Sequence, residues 1–327
     1  MTNNSDNDWQ VNYSDLLNAG TSTSTRRAYQ RDVAYFWIWT KLVLNQKEHY
    51  PASEETVIRF ILDHLGHMSD ENENYLIKEG RRQKRGPLKI STLRRILTSL
   101  SVAHQERGTE NVMMNAKVKL LLRRANHASA NKMPAKKAAI TKDILTAILE
   151  TCNDSLKGVR DRAILLVGFS SGGRRRSEIV RLRVEDLTKI DGGYIIRIRK
   201  SKTDQGGRGF EVPILGSTAT ALTAWLVKSG IREGYIFRGI RSNKKLNDSL
   251  TGQSINQMVK TRIALIGLNP DNYGAHSLRS GFITEAARSG ATIADAMALS
   301  GHRDVVIASG YFREAELMDN PASTLIE

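Results

Sequence analysis

The chain has 327 residues, 49 Lys and Arg against 34 Asp and Glu, and a formal net charge of +15. Its 40% hydrophobic content with 25 Gly and 6 Pro is ordinary for globular proteins and excludes wholesale disorder and collagen-like repeats. The single cysteine, Cys152, excludes a disulfide framework, no finger-like Cys/His spacing suggests structural zinc, and no run of about 18 apolar residues or basic-then-apolar leader suggests a membrane span or secretion. A reducing, cytoplasmic setting with no membrane partner is expected. The excess charge then points to a polyanion, because neutralising phosphates releases counterions.

At roughly 150 residues per domain the length suggests two. The positive charge is shared: residues 1–138 hold 22 basic and 14 acidic groups, and residues 139–327 hold 27 and 20. Both domains would therefore face the polyanion. Residues 1–20 read as a disordered, polar N-terminal tail, expected to be too short for a further domain ahead of the first helix. From there to residue 127 the apolar periodicity is helical throughout: TRRAYQRDVAYFWIWTKLV, SEETVIRFILDHLGHM, STLRRILTSLSVAHQERG and NAKVKLLLRRAN. Ser53 and Ser91 stand at helix starts, and Gly66 and Gly108 close two helices. Between the second and third helices, KEGRRQKRGPLK puts Lys78, Arg81, Arg82, Lys84, Arg85 and Lys89 beside only Glu79, with Gly80, Gly86 and Pro87 opposing regular structure. A basic loop of this kind suits phosphate contact. His64 and His67, one turn apart, are expected as a surface pair rather than metal ligands.

The small, basic segment NHASANKMPAKK, from Asn126 to Lys137, marks the seam, with the linker at residues 128–138 and a new domain over 139–327. Thr141 caps a helix with Ile144, Leu145 and Ile148 on one face. DRAILLVGFSS reads as a buried helix stopped by Gly172 and Gly173, with a short helix through SEIVRL behind it. GYIIRIRK and GFEVPIL alternate apolar and polar residues around SKTDQGGR, a hairpin signature. Helices return over STATALTAWLVKSG, GQSINQMVKTRIALIGL, AHSLRSGFITEAARSG, TIADAMALSGH and VVIASGYFREAEL. The expected fold is mainly α: a helical bundle, then a mostly helical domain with one small antiparallel sheet.

No G-x-x-x-x-G-K-[ST] motif is present, so no ATP-driven motor is indicated. The second domain instead carries an ordered polar set: Arg175 and Glu178, Lys202 in the hairpin turn, His276 and Arg279, His302, and Tyr311 nine residues later. This set resembles the catalytic signature of the tyrosine recombinase (phage integrase) family, in particular simple two-domain Cre-like or Xer-like members. GGRRRSEIVRLRVEDL at 172–187 is similar to the family's Gly-x-Arg-x-Ser-Glu block, SKT at 201–203 to its hairpin lysine, AHSLRSGF at 275–282 to its His-x-x-Arg helix, and SGH at 300–302 with Tyr311 to its final pair. Arg174, Arg175 and Arg176 are consecutive and alike; the register from Gly173 to Glu178 selects Arg175, leaving Arg174 and Arg176 to backbone phosphate or solvent.

The resemblance implies an N-terminal core-binding domain, a C-terminal catalytic domain with a tail at 313–327, and chemistry without ATP, metal or other cofactor. A phenol of reference pKa near 10 is ionised about one part in a thousand at pH 7, roughly 4 kcal/mol of preparation, so cationic help is needed. By the resemblance Arg175 and Arg279 grip the scissile phosphate, Tyr311 attacks, Lys202 is the general acid, His276 takes or shares the tyrosine proton, His302 hydrogen-bonds the phosphate, and Glu178 orients a neighbour. Arg27, Arg31, Arg94 and Arg95 are candidates for the major groove, with Gln253 and Asn256 on a second groove helix. The implied partner is double-stranded DNA bearing inverted repeats, bound by a protein that is a monomer in solution and a homotetramer on two sites. The implied setting is prokaryotic, on a nucleoid or mobile element. Type IB topoisomerase-like relaxation, or an architectural or regulatory DNA-binding protein with an unused site, are the alternative readings.

Overall fold

The computed structural model describes residues 20–129, 137–199, 209–243, 245–302 and 304–316. The chain divides into two compact units, Met1–Pro134 and Ala135–Glu327.

The first unit is built from α1 (Thr23–Leu44), α2 (Glu54–Leu62), α3 (Asp70–Lys78), α4 (Ile90–Glu106) and α5 (Ala116–Ser129). Ser22 and Ser53 cap α1 and α2, each hydroxyl accepting a backbone N–H of the first turn. Phe36, Trp39, Phe60 and Leu100 are fully buried in an aromatic core. Asp32, interior on α1, accepts from Ser99 Oγ at 3.0 Å and from Arg95, which ties α1 to α4. Three features differ from expectation. α3 had no apolar stripe to announce it; Ser69 caps it over an acidic first turn, and Glu73 and Leu76 are its buried residues. Ser91 lies inside the first turn of α4, whose cap position is Lys89. His64 is no surface residue: its ring is buried between the Tyr35 hydroxyl at 2.6 Å and the Phe60 carbonyl at 2.7 Å, and burial holds it neutral with a pKa lowered to about 3.

α5 continues to Ser129, into the expected linker, and Ala138 and Ile140 already belong to the second unit through hydrogen bonds to the Asn272 and Ser277 carbonyls at 2.8 and 2.9 Å. That unit holds α6 (Lys142–Glu150), α7 (Leu156–Ser170), α8 (Arg176–Ile179), β1 (Leu187–Ile190), β2 (Gly193–Ile198), β3 (Phe210–Leu215), α9 (Gly216–Ser229), α10 (Gly252–Leu265), α11 (Ala275–Arg288), α12 (Ile293–Ser300) and α13 (Val305–Glu316). α7 buries Ala163 to Val167 in succession, so it runs through the core rather than over it. The hairpin pairs Ile196 with Val212 and Ile198 with Phe210, its buried face, while Arg197 and Glu211 face out. β1 adds a third antiparallel strand that the sequence pattern did not show.

Candidate active site

α7 ends in a turn that only glycine fits. Gly172 and Gly173 have φ of +101° and +67°, and a Cβ on Gly173 would stand 2.5 Å from the Arg279 Cα. Helix α11 therefore lies directly against this turn, which is how Arg175 and Arg279, a hundred residues apart, come to share one site. Gly173→Ala is expected to lower stability by about 2 kcal/mol or more, from both strain and backbone overlap. An unchanged denaturant midpoint would contradict the close approach.

Arg175 leads into α8, and Glu178 folds back on it: the carboxylate accepts the Arg175 backbone N–H at 3.1 Å and a guanidinium Nη at 2.8 Å. Glu178 is buried, while the Arg175 side chain keeps 24% exposure. One guanidinium edge is thus fixed and the side chain still reaches solvent.

Helix α11 starts at Ala275, whose N–H donates to Asn256 Oδ1 at 3.0 Å. His276 is exposed in the first turn and Arg279, one turn on, is 2% exposed. Arg279 Nη1 donates to the Gly173 carbonyl at 3.0 Å, and Nε donates to His302 Nε2 at 3.1 Å. Because arginine only donates, His302 Nε2 must accept, which leaves its proton on Nδ1 for Ser300 Oγ, 2.7 Å away. The charge balance agrees. Burial and the guanidinium of Arg279, followed by Arg175, His276 and Arg174, lower His302 to about 4. His276 is lowered as well, by loss of water and then by Arg279 and Arg175.

Tyr311 sits half-buried on α13 at the edge of a small cluster made by Ile283, Ala287, Ala296 and Phe312. Its hydroxyl lies within electrostatic reach of Arg279. Burial, with help from Arg175 and Arg174, brings Arg279 down to about 10; burial and then Arg175 bring Arg174 to the same value, opposed by Glu178. Three guanidinium groups thus gather around one buried carboxylate, leaving an excess of positive charge. Arg279 Nη2 is buried with no hydrogen-bond acceptor among the described residues. Lys202 lies outside the described residues.

The other expected contacts divide. Arg27, Arg31 and Arg94 are exposed on α1 and α4, and Arg95 is half-exposed beside Asp32. Arg81, Lys84 and Arg85 are exposed, Arg85 donating to Asn74 Oδ1 at 2.8 Å. Arg82 is a correction: it turns inward to Glu73 at 3.1 Å and to the Gly86 carbonyl, so it pins the basic loop instead of presenting charge to phosphate. Arg176 is exposed and reaches Gln253 Oε1 at 3.4 Å, joining α8 to the start of α10. Asn256 is half-buried with its oxygen committed to α11, a holding role the sequence did not suggest. Arg174 is a second correction. Expected on phosphate or in solvent, it has no exposed surface, because the turn at Gly172 drives it into the interior. Ser300, which sets the His302 tautomer, was visible beforehand only as part of the Ser-Gly-His string.

Comparison with known proteins follows the same lines. The chain is 27% identical over 321 residues to an integrase/recombinase xerD homolog of Selenomonas ruminantium, covering 94% of this chain and 86% of that one. It is 25% identical over 309 residues to recombinase cre of Escherichia phage P1, covering 88% and 83%. A lambda integrase dimer bound to a COC′ core site shares the fold at a TM-score of 0.57 and 17% identity, covering 94% of both chains. A Tn1549 transposon integrase bound to transposon right end DNA does so at 0.59 and 12%, covering 94% of this chain and 95% of that one. The profile of the phage integrase family matches residues 138–317, the whole stretch that carries Arg175, His276, Arg279, His302 and Tyr311, and the chain belongs to that family, the tyrosine recombinases.

Proposed function

We propose that the chain cleaves and rejoins DNA at short inverted-repeat sites through a 3′-phosphotyrosyl intermediate on Tyr311. The observation that carries this reading is the convergence of Arg175, His276, His302 and Tyr311 on Arg279, with Arg175 held by the buried Glu178. Arg175 and Arg279 hold the non-bridging oxygens of the scissile phosphate, with the unpartnered Nη2 of Arg279 as a donor for charge developing in the transition state. The Tyr311 Oη–P bond forms as the P–O5′ bond breaks. The phenol's proton passes to His276, and Lys202 gives a proton to the leaving 5′ oxygen. His302, neutral and anchored on Ser300, turns with Arg279 toward the phosphate. One phosphodiester replaces another of similar energy, so religation is the reverse step and needs no nucleotide.

His276 can accept a proton only when neutral. Its pKa lies below the ordinary 6.5, so single-turnover cleavage is expected to be level from pH 7 to about 8 and to fall as pH drops below about 6.5. A rate that rises on acidification would remove His276 from this role.

The protein is proposed to act in a prokaryotic cytoplasm, on a nucleoid or mobile element, as a monomer in solution and a tetramer on two DNA sites. No helix among the described residues is long and apolar enough to cross a membrane. The decisive experiment presents the protein with nicked duplexes of random sequence, then recovers and sequences DNA that stays attached after denaturation. Adducts enriched in one inverted repeat are expected. Adducts without sequence enrichment would favour relaxation of topoisomerase type, and no adduct at all would leave only DNA binding.

A further inference from the structure

Arg174 is the least expected feature of the site. A guanidinium is far costlier to desolvate than a leucine or methionine of similar length, so a fold that retains one in its interior is giving up stability for something the charged fork does. Its side chain has 0% exposure. Nη2 donates to the Leu299 carbonyl and stands 3.5 Å from that of Gly172. Nη1 lies 3.7 Å from Glu178 Oε2. The plane lies over the Phe210 ring, 5.0 Å from its centre, at the first residue of β3. Nε and Nη1 have no hydrogen-bond acceptor among the described residues.

Each contact leads to a different part of the proposed machinery. Leu299 is in the last turn of α12, where backbone carbonyls lack helical partners and a cation is favoured. Two residues later Gly301, at φ +66°, swings the chain so that His302 meets Ser300 and Arg279. Glu178 is the carboxylate that fixes Arg175. Gly172 makes room for the first contact: a Cβ there would be 2.2 Å from the Leu299 oxygen and 2.5 Å from Arg174 Nη2. Glycine and arginine are thus matched to one another, and neither is accounted for by the phosphate-gripping pair.

We propose that Arg174 is a positioning residue, a buried fork that sets the His302 turn and the Glu178–Arg175 pair at a fixed separation. The inference rests on the recombinase reading of this site. Lysine could satisfy the Leu299 carbonyl or face Glu178 but has no planar fork for both, and methionine would fill the space and hold neither.

The test uses the full-length protein and a nicked duplex recovered from the random-sequence trapping experiment, with band-shift affinity and single-turnover adduct formation measured separately. Arg174→Met is expected to bind that duplex within about twofold of the parent and to form adduct about tenfold more slowly or worse, with Arg174→Lys between the two. If Arg174 acts through His302, combining Arg174→Met with His302→Ala will cost less than the product of the single losses. An adduct rate within about twofold of the parent, parallel losses in affinity and rate, or fully multiplicative losses in the double variant would overturn the proposal. Should Arg174→Met fail to unfold cooperatively, Arg174→Lys takes its place in the same cycle and the same outcomes decide. A parent protein that forms no adduct removes the recombinase reading itself, whereas an active parent with indifferent Arg174 variants removes only this inference.

Discussion

Tyr311→Phe is expected to bind site-bearing duplex as the parent does and to yield no denaturation-resistant adduct. The substitution deletes one oxygen from a half-buried ring whose packing partners on α11 and α12, among them Ile283 and Ala296, are untouched. Fold and affinity should therefore be preserved, with a stability change of about 1 kcal/mol or less. The rate is another matter. A phosphotyrosyl bond needs the phenol oxygen, and loss of a nucleophile elsewhere costs about 10⁴-fold or more even when every supporting group stays in place. Gel separation of denatured protein–DNA mixtures reads the adduct directly. An adduct that persists in the phenylalanine variant would place the nucleophile elsewhere and leave the convergence on Arg279 without a purpose.

The second large effect is expected at Arg279. Arg279→Lys keeps the positive charge, so DNA affinity should change little, but it removes the planar fork that now serves the Gly173 carbonyl, His302 Nε2 and an unfilled direction at Nη2. A single ammonium cannot reach all three. Removing one donor aimed at developing charge typically costs about 10²–10³-fold in rate, and that loss is expected in single-turnover cleavage. A buried acceptor left unpaired should also lower stability by about 1–3 kcal/mol. Adduct formation within about threefold of the parent would mean that Arg279 is a structural cation only.

Most of the architecture was legible because its signals are local. Wide apolar stripes announced α1, α4 and α11, and alternation announced β2 and β3. α3 escaped because only one apolar residue, Leu76, is buried on it, so its stripe is too narrow to read. β1 is four residues with no alternation in its burial. Order and spacing nominated Arg175, Glu178, His276, Arg279, His302 and Tyr311, each in a short recognisable string, and the fold brings the others within reach of Arg279. What composition could not separate was three adjacent arginines. Their fates depend on the glycine turn before them: Arg174 is forced inward, Arg175 is held at the rim, and Arg176 points out to Gln253. Arg82 and His64 were misjudged for a related reason: each pairs a nearby carbonyl with a partner on another element, Glu73 and Tyr35, that leaves no local trace in the sequence.

The cluster under α13 has a consequence for how such an enzyme can change over generations. Ile283, Ala287, Ala296 and Phe312 form a patch separate from the large core built around α7. Prising the tyrosine's helix from it would expose chiefly one phenylalanine and a few small side chains, about 3 kcal/mol of burial, a fraction of what holds a domain together. The readiness of the proposed nucleophile and the durability of the scaffold therefore rest largely on different side chains. Substitutions in the patch that leave the α7 core intact are expected to change how often a strand is nicked more than they change the melting temperature.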